Sequence, residues 1–217
     1  MLNSKNETKY PVIELIHELS LHLISYYLSK HSKMLPVRFD VHYPSNITVR
    51  LNNTDISRCT AKVILKFKRK GLDPAYIWVR EQNESHNPHY HFLMILNGHK
   101  SQSAYLIFNT FEKLWASTLK IVSAKGLIHY CLVNKRNIPH TNGKLVKRSE
   151  GVPEYVRRQI SYMAKPSGKG QAHDGIRDFG MTRIPREYLD RQVIQDGIGN
   201  VQRLRQKGLL PCQTLQG

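Results

Sequence analysis

Apolar positions recur along this chain with two different periods, and the switches between them mark out its elements. Over residues 11–30, Val12, Leu15, Ile16, Leu19, Leu23 and Tyr26 or Tyr27 return at the spacing of one helix face. Over 37–43 the period drops to two. Val37, Phe39, Val41 and Tyr43 alternate with Arg38, Asp40 and His42, which predicts a half-buried strand stopped by Pro44. Thr54 or Asp55 offers a cap for a helix running to Lys70, with Gly71 as its stop. Residues 75–81 read as a strand, 82–88 as a polar hairpin loop containing Pro88, and 89–96 as the next strand, closed by Asn97-Gly98. A helix over 103–119 turns Phe108, Phe111, Leu114 and Trp115 to one side, and 127–133 gives a fourth strand. Strand, helix, strand, strand, helix, strand is the order of the split βαβ. The predicted fold is therefore α+β and ferredoxin-like, with an antiparallel hairpin at its centre.

Beyond this the pattern thins. Residues 134–151 are polar, basic and aperiodic, and are expected to form a mobile loop. Residues 153–165 read as a helix ended by Pro166, 167–175 as a flexible glycine-rich stretch, and a last helix begins near Pro185 before a frayed tail.

Charge changes the picture most. The 217 residues carry a formal net charge of +17, which calls for an anionic partner, nucleic acid first and a membrane surface second. No apolar run reaches the roughly 20 residues of a spanning helix, and the polar start of the chain is unlike a secretion signal. The cysteines Cys59, Cys131 and Cys212 are scattered without zinc-ribbon spacing, so reduced thiols in the cytoplasm are expected. From Lys135 onward there are 16 lysines and arginines against 7 acids. Arg157, Arg158, Lys169, Arg177 and Arg183 are the candidate DNA contacts, and Lys66, Lys68, Arg69 and Lys70 form a second basic cluster.

Two short motifs add chemistry. His89 and His91, one residue apart on a strand, project to the same side. If the hairpin pairs across 82–88, Glu81 lies opposite them, and a carboxylate with two imidazoles makes a site for Mg²⁺ or Mn²⁺. The alternative is a polar hairpin end with solvated histidines. Tyr162 and Lys165 are neighbours on a helix face, a phenol nucleophile with a cationic companion. The alternative is a core tyrosine and a lysine favoured by the helix dipole. Tyr155 sits about two turns earlier and is the poorer candidate.

Glu81, then His89-Tyr-His, then Tyr162 and Lys165 in this order resemble the HUH endonucleases that start rolling-circle replication. Arg38-Phe-Asp-Val-His-Tyr-Pro, Trp78-Val-Arg-Glu, Leu96-Asn-Gly, Ser161-Tyr-Met-Ala-Lys and Arg177-Asp-Phe-Gly-Met-Thr-Arg look more specifically like the YagK/YfjJ C-terminal-domain family, related to the inovirus gene II replication protein. The resemblance covers residues 35–190. It implies an antiparallel sheet of about five strands with the histidine strand central. The helix read near the start then falls in an N-terminal helical extension (1–34), and a C-terminal helix and tail (191–217) follow. It implies Glu81, His89 and His91 as metal ligands and Tyr162, assisted by Lys165, as the nicking nucleophile. The product would be a 5′-phosphotyrosine link and a free 3′-hydroxyl on phage or prophage DNA. Two-tyrosine initiators often space the pair four apart, and here that upstream position is Arg158. No Gly-x-x-x-x-Gly-Lys-Ser/Thr segment is present, so a helicase and polymerase of the host are the expected partners. The competing expectation is a non-catalytic DNA-binding remnant or prophage regulator.

Overall fold

The computed structural model describes residues 9–47, 49, 52–82, 87–132, 141–165 and 175–195. Its helices are α1 (Lys9–Lys30), α2 (Thr54–Arg69), α3 (Tyr105–Leu119), α4 (Glu154–Met163) and α5 (Arg186–Gln195). Its strands are β1 (Lys33–Val41), β2 (Ala75–Glu81), β3 (His89–Asn97), β4 (Ile128–His129), β5 (Val146–Lys147) and β6 (Phe179–Met181). The strands form one open antiparallel sheet in the order β4-β1-β3-β2-β6, with β5 also pairing β1. The class is α+β, and the histidine strand β3 lies at the centre.

Alternation along the strands sorts their side chains onto two faces. On one face Val37, Phe39 and Val41 of β1 and Tyr90, Phe92 and Met94 of β3 meet Ile56, Cys59, Val63 and Phe67 of α2 and Phe108, Phe111 and Trp115 of α3. Phe39 stacks on Phe92 at 5.1 Å and meets Phe111 edge-on at 4.6 Å. Each such ring contributes about 1.5–3 kcal/mol by burial. Tyr90 and Phe92 are fully buried here. The opposite face carries His91, against which α4 packs, and α1 in turn contacts α4, β1 and β2.

β1 is not half-buried as its alternation predicts. Arg38 and Asp40 on its polar side are 9% and 8% exposed. The polar stripe lies at the centre of a row of ionisable groups instead of in solvent. Of the strand predicted over 127–133, Val133 lies outside the described residues and β4 covers two, because the backbone turns left-handed at Cys131 (φ 48°) and leaves the ladder. The cap of α2 is Asn53, and neither Thr54 nor Asp55 serves. The Asn53 side chain accepts from Tyr90 Oη and donates to the Arg177 carbonyl, tying α2 to the segment before β6.

Part of the stretch expected to be a mobile loop, 134–140, lies outside the described residues. From 141 to 151 the chain is built onto the sheet. Asn142 accepts from Arg38 N at 2.8 Å and donates to the carbonyls of Arg38 (2.7 Å) and Tyr130 (2.9 Å). β5 follows, and then a short 3-10 turn at Arg148–Glu150. The described chain divides into two compact units between Thr182 and Arg183; the second contains α5.

Candidate functional site

Register decides which side chains meet. Glu81 pairs with His89 across β2–β3, and Asp40 pairs with His91 across β3–β1 and with His129 across β1–β4. Glu81 and His89 form one rung and His91, Asp40 and His129 the next, so the five lie on one face in a diagonal row across four strands. The predicted trio lies together at one end of it. Glu81 Oε2 is 2.8 Å from His91 Nε2, and Glu81 Oε1 is 3.5 Å from His89 Nε2. One donor atom from each of Glu81, His89 and His91 lies within 4.8 Å of the other two, so one ion can reach all three. Two imidazoles and a carboxylate suit a divalent cation that keeps open positions.

Asp40 prepares His91 for that role. Its Oδ1 accepts the Nδ1 proton of His91 at 2.7 Å, which fixes the ring and turns Nε2 toward Glu81. Arg38 Nη2 reaches Asp40 Oδ1 at 3.0 Å and Oδ2 at 3.3 Å. Burial alone would push the Asp40 carboxyl up, but the His91 hydrogen bond and the His91 and Arg38 charges hold it at about 2. Burial and the neighbouring His91 charge bring His89 down to about 4, so its ring is neutral near pH 7. His42 stacks on His89 at 5.1 Å, and its own value is lowered, chiefly by burial.

The tyrosine comes to this row from a helix 71 residues further along the chain. Pro153 caps α4, and Val156, Ile160 and Met163 bury its apolar stripe. That seats Tyr162, 43% exposed, with its ring edge-on to His91 at 5.6 Å. The Arg38 guanidinium lies 4.3 Å from the Tyr162 ring centre and Lys165 Nζ 4.6 Å. Lys165 lies just beyond the helix, whose C-cap is Ala164, and its backbone N–H donates to the Tyr162 carbonyl. Burial raises the Tyr162 phenol; Arg38 opposes this, and Asp40 and Glu81 add to it. Tyr155 is turned elsewhere. Its hydroxyl donates to the Lys144 carbonyl at 2.9 Å, and burial with the Glu150 charge pushes it up to about 12.

The candidate DNA contacts are spread out. Arg157 and Arg158 are exposed on α4; Arg157 Nε donates to the Val152 carbonyl, and Arg158 pairs with Glu154. Arg177 is exposed beside the sheet edge at β6, Arg183 belongs to the second unit, and Lys169 lies outside the described residues. The Lys66–Lys70 cluster is exposed at the end of α2, on the sheet face away from Tyr162.

Arg38, Asp40, His42, His129 and Cys131 also belong to this cluster, although the sequence assigned none of them a chemical role. The signal for the first three was the polar half of the β1 alternation. A strand that alternates Arg, Asp and His places them on one face, and over Arg38 and Asp40 that face is covered by α4 instead of water.

Residues 1–182 match the YagK/YfjJ C-terminal domain family. No curated protein and no solved structure matches the chain.

Proposed function

We propose, from the premise that this chain belongs to the YagK/YfjJ C-terminal domain family, that it is an HUH-type, metal-dependent nickase that cuts one DNA strand through a phosphotyrosine intermediate. The observation that carries this reading is the contact of Tyr162 with His91, which joins a half-exposed phenol to a convergent Glu-His-His donor set. The order β4-β1-β3-β2, with α2 and α3 together on one face, supports the split βαβ arrangement for the enclosing domain.

Glu81, His89 and His91 fit a divalent cation such as Mn²⁺ or Mg²⁺, which when bound supplies electrophilic stabilisation to the oxygens of the scissile phosphate. The chain's own groups do the rest. Tyr162 Oη attacks phosphorus, the bond from phosphorus to the 3′-oxygen breaks, and the energy of the diester is kept in the new ester. The phenol proton leaves and the departing 3′-oxygen takes one up, so the step consumes no net acid or base. Arg38 and Lys165, both over the Tyr162 ring, place positive charge where the phenolate and the phosphate oxygens gather negative charge. Asp40 keeps His91 aimed. Since Tyr155 is bonded elsewhere and the position four before Tyr162 is Arg158, one tyrosine serves the site. A single covalent capture per chain follows, feeding a free 3′-hydroxyl to a polymerase of the host.

The test is to mix the protein with Mn²⁺ and labelled single-stranded DNA from phage or plasmid origin regions, then denature. A labelled adduct that requires Mn²⁺ is the expected result. DNA binding with no adduct on any strand supplied would favour a regulator built on the same surface.

A further inference from the structure

A second group of metal donors lies at the other end of the row, where the motifs give no hint of one. Asp40 Oδ2, His129 Nδ1 and Cys131 Sγ face one another on β1, β4 and the turn that follows β4. Their separations are 3.4 Å for His129 Nδ1 to Cys131 Sγ, 3.5 Å for Cys131 Sγ to Asp40 Oδ2 and 3.7 Å for His129 Nδ1 to Asp40 Oδ2. A tetrahedral zinc, with Zn–S of about 2.3 Å and Zn–N or Zn–O of about 2.0–2.2 Å, has donor-to-donor edges of about 3.3–3.6 Å. The triangle already has nearly those dimensions.

We propose that Asp40, His129 and Cys131 bind a second cation, a thiophilic one of the Zn²⁺ type, separate from the ion held by Glu81, His89 and His91. The donor chemistry divides the two sites. A thiolate with an imidazole and a carboxylate selects zinc, whereas two imidazoles and a carboxylate without sulfur accept Mn²⁺ or Mg²⁺. Asp40 serves both, with Oδ1 on the His91 ring and Oδ2 toward the thiol. The left-handed backbone at Cys131 and the Asn142 bond to the Tyr130 carbonyl fix the thiol against Asp40. His129 is 59% exposed, so an ion has a way in and a fourth position open to water or a ligand. The only other described cysteine, Cys59, is fully buried on α2 at the opposite face of the sheet and cannot take part. Without a metal the same contacts amount to a neutral thiol donating a weak hydrogen bond to Asp40. The two differ in whether sulfur ever bonds to metal.

Cobalt(II) titration of the reduced full chain decides between them, because sulfur–cobalt bonding gives an intense near-ultraviolet charge-transfer band that nitrogen and oxygen donors do not. The expected result is a band that saturates and is erased by added Zn²⁺. Cys131→Ser should abolish it, and His129→Gln, a change at an exposed ring, should weaken cobalt affinity at least tenfold with the fold intact by circular dichroism. His89→Ala, which dismantles the first site, should keep the band. No band in the reduced wild-type chain, or a band that survives in Cys131→Ser, would overturn the proposal. Neither readout involves DNA, so the result is independent of whether the protein nicks.

Discussion

Asp40 Oδ1 accepts from His91 at 2.7 Å, and the carboxyl, held at about 2, is charged near neutral pH. Removing that charge weakens the hydrogen bond that orients the His91 ring. Asp40→Asn should weaken Mn²⁺ binding about 10–100-fold, the usual range for losing the partner of a liganding histidine. Titration calorimetry on the variant checks this. The same shifts set how the metal-free protein responds to acid. His89, folded near 4 against an ordinary value near 6.5, gains its proton first in the unfolded chain, so stability falls as pH drops from about 6.5 to 4. Asp40, folded near 2 against about 3.9 unfolded, contributes about 2 kcal/mol that is fully present above pH 4 and is lost as pH falls toward 2. Urea midpoints measured with chelator should therefore fall in two windows, and Asp40→Asn should flatten the lower one.

At the scale of elements, the short edge strand β6 is where one atom matters. A Cβ placed on Gly180 would lie 2.5 Å from two ring atoms of Trp78 on β2. Glycine lets the two strands approach, and its replacement forces the indole or the edge strand away. Gly180→Ala should cost about 1–3 kcal/mol of stability by overpacking, measurable by urea unfolding, and should speed amide exchange in β6 relative to β3. This strand also shows what sequence pattern reveals and what it hides. α2, α3, β2 and β3 announce themselves because each repeats its period often enough to be counted. β4, β5 and β6 are two or three residues long, too short to show a period, and each is defined by the neighbour it pairs with. The site divides the same way. His89 and His91 were legible because they are local, and Glu81 because hairpin pairing brings it back. Asp40, His129 and Cys131 join only through register between strands far apart in sequence. Arg38 read as an exposed strand residue until α4 placed Tyr162 over it.

Across the whole molecule the charge of +17 is unevenly useful. α4 carries exposed Arg157 and Arg158 on the face where Tyr162 meets the metal donors, whereas Lys66, Lys68, Arg69 and Lys70 lie across the sheet. Binding of single-stranded DNA should weaken with salt, each phosphate contact adding about 0.7 to the log–log slope. The double change Arg157→Ala with Arg158→Ala should lower that slope by about one or more. Changing Lys66 and Lys68 to alanine should leave it nearly unaltered, as read by fluorescence anisotropy over a salt series.

In the proposed reaction Tyr162 bonds to DNA at a site built by β1, β2 and β3. Peptide mapping by mass spectrometry of a Mn²⁺-dependent adduct tests it most directly, with Tyr162→Phe alongside because it removes one oxygen and spares the ring packed on His91 and Arg38. The expected result is a nucleotide on the peptide containing Tyr162, no adduct in Tyr162→Phe, and an unchanged adduct in Tyr155→Phe. A nucleotide on Tyr155, or an adduct that persists in Tyr162→Phe, would contradict it.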